Sequence, residues 1–557
     1  MWRIWTVFTI ICLLALVIIS RLFYWQIVRG DKLRLEAASQ YYLQFNLPAV
    51  RGTIAATDGQ SLVLNQPAYL VYAAPPKIKN IPEFAKEVAP VLDLEEKKLE
   101  SDLVMPGRAW VPLAHKVESN LSQKLQDLNL AGLGFESESK RYYPESSMAA
   151  QLLGFVGSDE NGRDTGYFGL EGEYDRELRG QDGELEREKD VKGAPILVGK
   201  EQRIDPIDGR NLTLYLDRTV QYSAQRRLLE GIESYGAKAG TVTVMDPATG
   251  GILAMASFPN YDPSHFTDFD KATYKNPIVA SSYEPGSTFK VLVMSAALDN
   301  KVVTPETKVD ESGPVEVGGF TIRTWDNVYH GPITTTQVLE YSSNVGMVAV
   351  ERLLGQKKLL EDIHNFGFGQ PTGIDLQEES SPELRPDNQW HEIDYATASF
   401  GQGIAVTPVQ MVRAVAAIAN GGWLMQPEAV REITDPNGSK VEIKPKKIRR
   451  VMSSATASIL TEMMVAAVDK GEAKWAKPKG YRIAGKTGTA QIPVAGHYDP
   501  TKTIASFVGF APADHPKFVM LVTLTEPTVS IWGSETAAPV FFNIAKDLFS
   551  YYGIPPQ

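Results

Sequence analysis

The chain has 557 residues, of which 43% are hydrophobic and 22% charged, as in an ordinary globular protein with room for three or four domains. Its formal net charge is −11 at pH 7 without a long basic run, which argues against nucleic acid as a partner. Cys12 is the only cysteine, so an intramolecular disulfide is excluded, and the seven histidines are scattered without metal-ligand spacing. We therefore expect no metal and no other cofactor.

The first apolar segment, residues 4–20, carries no charge. A helix of that length rises about 26 Å, slightly less than a ~30 Å hydrocarbon core, and the apolar and aromatic residues 22–25 extend it. A cleaved signal peptide is the alternative, but no small-x-small site precedes the charged stretch 29–34. We expect an uncleaved anchor, with residues 1–29 as cytoplasmic tail and transmembrane helix. The count of Lys and Arg on its two sides does not decide the orientation.

Residues 30–205 are interpreted as a folded spacer, because no nucleophile or acid–base pair stands out there. The predicted helical segments are 30–46, 81–103 and 117–128, and the predicted strands are 62–64 and 69–73. Residues 181–192 are rich in charge and are expected to be exposed to solvent. We set the domain boundary shortly after them, near residues 205–210.

Residues 206–557 have predicted strands at both ends and predicted helices between them. The strands are 241–245, 252–256, 482–490, 505–510 and 518–525, and the helices are 291–298, 409–420 and 536–552. The first two strands flank a turn and so form a hairpin. This order predicts one antiparallel sheet covered by helices, which is an α+β fold.

Three short motifs follow one another within residues 206–557. Ser287-Thr288-Phe289-Lys290 opens the helix 291–298 after a Pro-Gly turn, so Ser287 and Lys290 are predicted to lie one turn apart on one face. A serine beside an amine that can take its proton is an activated nucleophile. Ser342-Ser343-Asn344 and Lys486-Thr487-Gly488-Thr489 follow. Together the three motifs are typical of penicillin-binding proteins and class A β-lactamases.

Over nearly its full length the sequence resembles a class B penicillin-binding protein, a membrane-anchored D,D-transpeptidase that cross-links peptidoglycan. Besides the three motifs, the resemblance rests on Arg51-Gly52-Thr53-Ile54, Arg141-Tyr142-Tyr143-Pro144, Leu153-Gly154-Phe155-Val156-Gly157, Gly169-Leu170-Glu171, Asp246-Pro247, Gly401-Gln402-Gly403-Ile404 and Phe507-Val508-Gly509-Phe510-Ala511-Pro512. Ser146 and Pro277 depart from the family pattern but touch no catalytic position. The resemblance implies a pedestal or dimerisation domain over 30–205 and a transpeptidase domain, similar to serine β-lactamases, over 206–557.

The resemblance also implies the role of each catalytic residue. Ser287 would attack the carbonyl of the penultimate D-Ala, and Lys290 would be the base. Ser342 would relay a proton to the leaving D-Ala, Asn344 would hold a substrate amide, and Lys486 would tune the site. A free lysine has a pKa near 10.4, so a base near pH 7 needs a fall of about 3 units. Burial and a second cation both act in that direction.

Substrate binding falls to the last motif. By the same resemblance, Thr487, Gly488 and Thr489 would bind the substrate, with both threonines on its terminal carboxylate. The backbone N–H groups of Ser287 and Thr489 would form the oxyanion hole. The substrates would be peptidoglycan stem peptides, a D-Ala-D-Ala donor and an amine acceptor, and β-lactam antibiotics would acylate the same serine.

The resemblance implies a catalytic domain outside the cytoplasmic membrane, and as partners a membrane glycan polymerase of the FtsW/RodA type and other division proteins. The short amino-terminal tail and the end just after the last helix favour the division-type (FtsI-like) branch, while the elongation-type branch stays open. A D,D-carboxypeptidase or a β-lactam-binding sensor could carry the same three motifs, so these two functions stay open as well. A β-lactamase is disfavoured because Ser343 replaces the aspartate usual in class A enzymes.

Overall fold

A computed structural model describes residues 1–33, 42–160, 162–188, 201–494 and 497–556. The helices are α1 (Trp2–Phe23), α2 (Ile81–Leu92), α3 (Glu96–Val104), α4 (Ser119–Asp127), α5 (Ala150–Leu153), α6 (Gly169–Glu173), α7 (Asp175–Arg179), α8 (Arg218–Tyr235), α9 (Pro277–Ala280), α10 (Lys290–Asp299), α11 (Thr335–Glu340), α12 (Asn344–Leu354), α13 (Gln356–Asn365), α14 (Glu392–Ala398), α15 (Pro408–Ala419), α16 (Ser454–Lys470) and α17 (Ala537–Tyr551).

The strands are β1 (Tyr42–Leu47), β2 (Ile54–Ala55), β3 (Ser61–Ala73), β4 (Val111–Glu118), β5 (Leu133–Tyr142), β6 (Phe155–Ser158), β7 (Asp164–Tyr167), β8 (Gly183–Glu188), β9 (Glu201–Ile204), β10 (Asn211–Leu214), β11 (Ala239–Met245), β12 (Ile252–Phe258), β13 (Lys308–Glu311), β14 (Val315–Val317), β15 (Phe320–Ile322), β16 (Gly331–Thr334), β17 (Trp423–Met425), β18 (Val430–Thr434), β19 (Lys440–Glu442), β20 (Lys447–Arg450), β21 (Ala484–Val494), β22 (His497–Ala511) and β23 (Phe518–Thr525).

The chain divides into two compact units, and the first comprises Met1–Arg51 and Gly180–Gly209. Within this unit, Trp2–Val28 is long and apolar enough to cross a membrane, by length and composition, and fits a single-pass anchor. β1, β8 and β9 form a small sheet in which β8 pairs antiparallel with both neighbours.

The prediction of a helix over residues 30–46 is wrong at its carboxyl end, because residues 42–47 form the strand β1. β1 pairs with β8, from Tyr42 opposite Glu188 to Leu47 opposite Gly183. A strand partner so far along the chain leaves no trace in local periodicity. Residues 34–41 of the predicted helix lie outside the described part of the chain, and so do residues 189–192 of the charge-rich segment.

The second unit comprises Gly52–Arg179 and Arg210–Gln557, and one of its sheets joins distant parts of the chain. The strand order is β19-β18-β10-β2-β3-β4, and β5 also pairs with β3. β10 pairs parallel with β2, Leu212 opposite Ile54, and antiparallel with β18. This sheet therefore crosses the predicted boundary near residue 205. The domain division 1–29, 30–205 and 206–557 stays a prediction.

The antiparallel sheet predicted for the third domain is confirmed, with the strand order β12-β11-β23-β22-β21. Successive side chains of a strand point to opposite faces. Along β23, Met520 and Val522 accordingly join one apolar core, and Val519 and Leu521 join the other. α8 and α17 cover the first face and α15 covers the second. β21 lies at the edge of this sheet, beside the turn that contains Ser287.

α10 lies inside the larger core. Its residues from Lys290 to Leu298 are all buried, and a helix that is apolar on every side belongs in a core. The predicted helix 291–298 is thereby confirmed. Lys290 is the one cation of this helix, and it is fully buried in the first turn (0% exposed). A charge so placed needs partners.

Candidate active site

Ser287 lies in a tight turn that two glycines hold in place. Gly286–Thr288 is a 3₁₀ turn, and the α-helix predicted to begin at Ser287 begins at Lys290 instead. The 3₁₀ turn therefore precedes the α-helix. In this turn Gly286 has a φ of +54°, and its N–H donates to Gly401 O at 3.0 Å. Gly401 has a φ of +80°, and a Cβ there would lie 2.1 Å from Gly286 O. Glycine is therefore required at position 401.

The Lys290 amine brings the first two motifs together. Its Nζ donates to Ser342 O at 2.5 Å, to Asn344 Oδ1 at 2.8 Å and to Ser342 Oγ at 3.3 Å. Among the residues that the structure describes, these are the acceptors found for the amine, and Ser287 is not one of them. Three acceptors match the three N–H groups of an ammonium ion.

Burial lowers the pKa of Lys290 well below its ordinary value, and the nearby charge of Lys486 lowers it further. Glu472 and Glu311 raise this pKa, but burial outweighs them. Burial also lowers the pKa of Lys486, with Glu472 again acting in the opposite direction. The pKa of Lys290 thus moves in the direction that the sequence predicts for a base.

Ser342 occupies the junction between α11 and α12. Its φ of +56° is in the left-handed region, which is uncommon for a residue with a side chain. Ser343 caps α12, since its Oγ accepts from Gly346 N at 2.9 Å. Asn344 begins that helix, and its Nδ2 donates to Arg323 O at 3.1 Å. The left-handed backbone lets both oxygens of Ser342 face the lysine amine.

The third motif lies on the edge strand β21. Lys486 Nζ donates to Thr487 Oγ1 at 3.1 Å and to Thr487 O at 3.3 Å. Thr489 Oγ1 accepts from Gly533 N at 2.9 Å. A Cβ on Gly488 would lie 2.5 Å from a serine oxygen of the next strand, so a side chain has no room there.

Residues of all three motifs line one cleft of about 230 Å³. Of the predicted site residues, it is lined by Ser287, Ser342, Asn344, Thr487, Gly488 and Thr489. Lys290 and Lys486 are buried and reach the cleft through their hydrogen bonds to Ser342 and Thr487. All the predicted site residues are therefore brought together in one place.

The cleft also contains residues that the motifs did not predict. Glu472 follows α16, and its Oε2 accepts from Thr487 Oγ1 at 3.4 Å. Trp325 and Trp532 meet edge to face with ring centroids 5.0 Å apart. No local pattern marks these three residues. Gln402 also lines the cleft, and here a signal existed, because it belongs to the Gly401–Ile404 segment of the family resemblance.

Two protein families match the chain, one after the other. The penicillin-binding protein dimerisation domain matches residues 46–214, and the penicillin binding protein transpeptidase domain matches residues 240–546. The chain belongs to the class B penicillin-binding proteins. The second match spans all three motifs, so this penicillin-binding protein is an enzyme with a transpeptidase domain.

Relatives of this penicillin-binding protein match it over nearly its whole length. Stage V sporulation protein D of Bacillus subtilis (strain 168) is 35% identical over 549 residues, 97% of this chain and 84% of that protein. Peptidoglycan D,D-transpeptidase FtsI of Escherichia coli (strain K12) is 30% identical over 568 residues, 100% of this chain and 93% of that protein.

A solved structure agrees with these matches. The crystal structure of penicillin binding protein 3 from Mycobacterium tuberculosis, complexed with aztreonam, is 28% identical to this chain with a TM-score of 0.72. The match covers 92% of this chain and 98% of that one. The predicted α+β penicillin-binding fold is thereby confirmed.

Proposed function

We propose that this penicillin-binding protein is a peptidoglycan D,D-transpeptidase of the division type, which cross-links stem peptides through an acyl-enzyme on Ser287. The observation that carries the proposal is the fully buried Lys290 amine, whose pKa is depressed by burial and by Lys486. Only a neutral amine can take the proton of a serine, and burial favours the neutral form. Similarity to the peptidoglycan D,D-transpeptidase FtsI supports the substrate class, and the division type follows the FtsI-like branch that the sequence resemblance favours.

Acylation would begin when Ser287 Oγ attacks the carbonyl carbon of the penultimate D-Ala and its proton passes to neutral Lys290. For this, the amine has to release one of its three present acceptors. The peptide bond to the terminal D-Ala then breaks, and the leaving nitrogen takes a proton through Ser342, whose Oγ lies 3.3 Å from Lys290 Nζ. The donor peptide remains as an ester on Ser287.

Substrate positioning falls to β21 and Asn344. The cationic Lys486 and the hydroxyls of Thr487 and Thr489 would bind the terminal carboxylate, and Asn344 would hold a substrate amide. Backbone N–H groups of Ser287 and Thr489 would stabilise the oxyanion, at about 3 kcal/mol per donor. An amine of a second stem peptide then attacks the ester, which forms the cross-link and frees Ser287.

We assign residues 1–29 to a cytoplasmic tail and membrane anchor, 30–205 to a pedestal, and 206–557 to a catalytic domain outside the cytoplasm, where peptidoglycan lies. The apolar helix Trp2–Val28 supports the anchor. A glycan polymerase of the FtsW/RodA type and other division proteins would be its membrane partners. β-Lactams would acylate Ser287, and the relative complexed with aztreonam supports this.

The test is intact-mass spectrometry after incubation with penicillin. The unmodified protein and the control Ser281→Ala, which removes an exposed serine of the same segment, should each gain one penicillin mass. Ser287→Ala should gain none and should keep its fold, because the change removes a single hydroxyl from a residue that lines the cleft. An adduct on Ser287→Ala would refute the nucleophile. Release of D-Ala with a new amide to an added amine then separates transpeptidation from hydrolysis.

A further inference from the structure

Glu472 is the one carboxylate among the residues that line the described cleft. It is half-buried and lies on the segment after α16. The Thr487 hydroxyl accepts from Lys486 Nζ at 3.1 Å and donates to Glu472 Oε2 at 3.4 Å. One hydroxyl therefore links the buried ammonium of Lys486 to the carboxylate of Glu472. The chemistry proposed above gives Glu472 no role.

Glu472 acts on both lysines through its charge. Burial and the charge of Lys486 favour the neutral form of Lys290, whereas Glu472 and Glu311 favour its charged form. Glu311 lies buried on β13, where the His330 backbone N–H donates to Glu311 Oε2 at 3.3 Å and His330 Nδ1 lies 3.0 Å from that oxygen. Glu472 instead faces the cleft, where a variant changes its charge without disturbing a core strand.

We propose that Glu472 is the counter-ion of the two-lysine cleft and that its carboxylate sets the pH below which Ser287 is no longer acylated. The inference rests on the proposed function, in which neutral Lys290 is the base. Glu472 does not touch the reacting atoms. It is a positioning residue that acts through the protonation of Lys290.

The direction of the effect follows from the order in which the lysines lose their protons. Burial and the charge of Lys486 lower the pKa of Lys290 well below its ordinary value, although Glu472 and Glu311 raise it, whereas burial alone lowers the pKa of Lys486. Lys290 therefore deprotonates first, while Lys486 is still charged. Removing the charge of Glu472 lowers the pKa of Lys290 further. The neutral base then survives to lower pH, and the acid side of the acylation profile moves in that direction.

Three variants isolate the charge of Glu472 from its shape. Glu472→Gln keeps the shape and an oxygen that can accept from Thr487, but it removes the charge. Glu472→Asp keeps the charge. Asp469→Asn is the matched control, since it removes one negative charge from α16 at an exposed residue that pairs with Lys477 and does not line the cleft.

The measurement is the second-order rate constant for acylation of the full-length protein by a chromogenic cephalosporin, between about pH 5 and pH 9. For Glu472→Gln we expect the acid side of the profile to move by at least about 0.5 pH unit to lower pH, a gain of at least about threefold in rate on that side. The profiles of Glu472→Asp and Asp469→Asn should stay within about 0.2 unit of the unmodified protein.

An unchanged or alkaline-shifted profile in Glu472→Gln overturns the inference, and so does an equal shift in Asp469→Asn. A loss of rate without a shift also overturns it, because packing alone would give that result. Should Glu472→Gln fail to fold, Glu472→Ala gives the same readout. If the unmodified protein is not acylated at any pH, the proposed function itself fails, and the inference falls with it.

Discussion

At the scale of single residues, the proposed role of Lys290 as a base requires a neutral amine, and one substitution separates this role from that of a fixed positive charge. Lys290→Arg keeps the cation but cannot deprotonate in a protein. If Lys290 is the base, acylation should fall by at least about 100-fold. Stopped-flow acylation by a chromogenic cephalosporin measures this, with circular dichroism to confirm the fold and exposed Lys474→Arg as the control. Near-normal acylation would return the base role to Ser342 or a water.

The site residues that belong to a sequence motif could be predicted from the sequence, because each motif combines residue types that suit one reaction. The three motifs that follow one another along the chain contain Ser287, Lys290, Ser342 and Lys486. Because these motifs are typical of one family of enzymes, we could predict that the four residues meet in one site. Glu472 could not be predicted in the same way. Its contact with the third motif arises only because the segment after α16 folds against β21, and nothing in its local sequence distinguishes it from a solvated surface acid.

At the scale of elements, the turn that holds Ser287 depends on a glycine of a distant loop. Gly401 and Gly355 both have positive φ angles, +80° and +86°, so alanine strains the backbone at either position, at a cost of about 1–3 kcal/mol. A Cβ at 401 would lie 2.1 Å from Gly286 O, whereas a Cβ at 355 meets nothing within 4 Å.

Gly401→Ala should therefore displace the Ser287 turn and slow acylation by at least about tenfold, because small misplacements of reacting groups are costly. Gly355→Ala should lose stability alone, by about 1–3 kcal/mol in urea unfolding, and keep its acylation rate. Equal acylation rates for the two variants would mean that the Gly286–Gly401 contact does not position the serine.

Helices and strands were predicted correctly where the sequence has a long apolar segment. They were predicted wrongly where a strand pairs with a strand that is distant in the chain. β23 and α15 were predicted within a residue or two, since each buries a continuous apolar sequence. β3 was predicted as two strands because Asn65, Gln66 and Pro67 interrupt its apolar pattern. β1 was predicted as helix because its partner β8 lies more than a hundred residues away.

At the scale of the whole second unit, the sheet shared by β2, β10 and β18 ties residues 52–179 to the transpeptidase domain. A shortened chain that begins at Asp205 removes β2 and uncovers the edge of β10, including buried Leu212 and Leu214. Exposing a leucine costs about 1.5–3 kcal/mol. Its urea midpoint should therefore fall below that of a chain that begins at Ala49, which keeps β2–β5.

Both shortened chains should be acylated by penicillin when folded, because the residues that line the described cleft lie within 286–532. Equal urea midpoints would show that the shared sheet adds no stability. Loss of acylation in a folded chain that begins at Asp205 would show that residues 52–179 shape the site.

Because its strands are far apart in the chain, the same sheet can be completed only late in the synthesis of the protein. β2 leaves the ribosome early, but its neighbour β10 is made later and β18 later still, at residues 430–434. At 5–20 residues per second the interval between β2 and β18 is roughly 20–80 s. Throughout it, Ile54, Leu62 and Val63, all buried in the finished core, have no completed surface to cover them. The nascent chain therefore leaves these apolar residues exposed for that time, which favours aggregation before the last strand arrives.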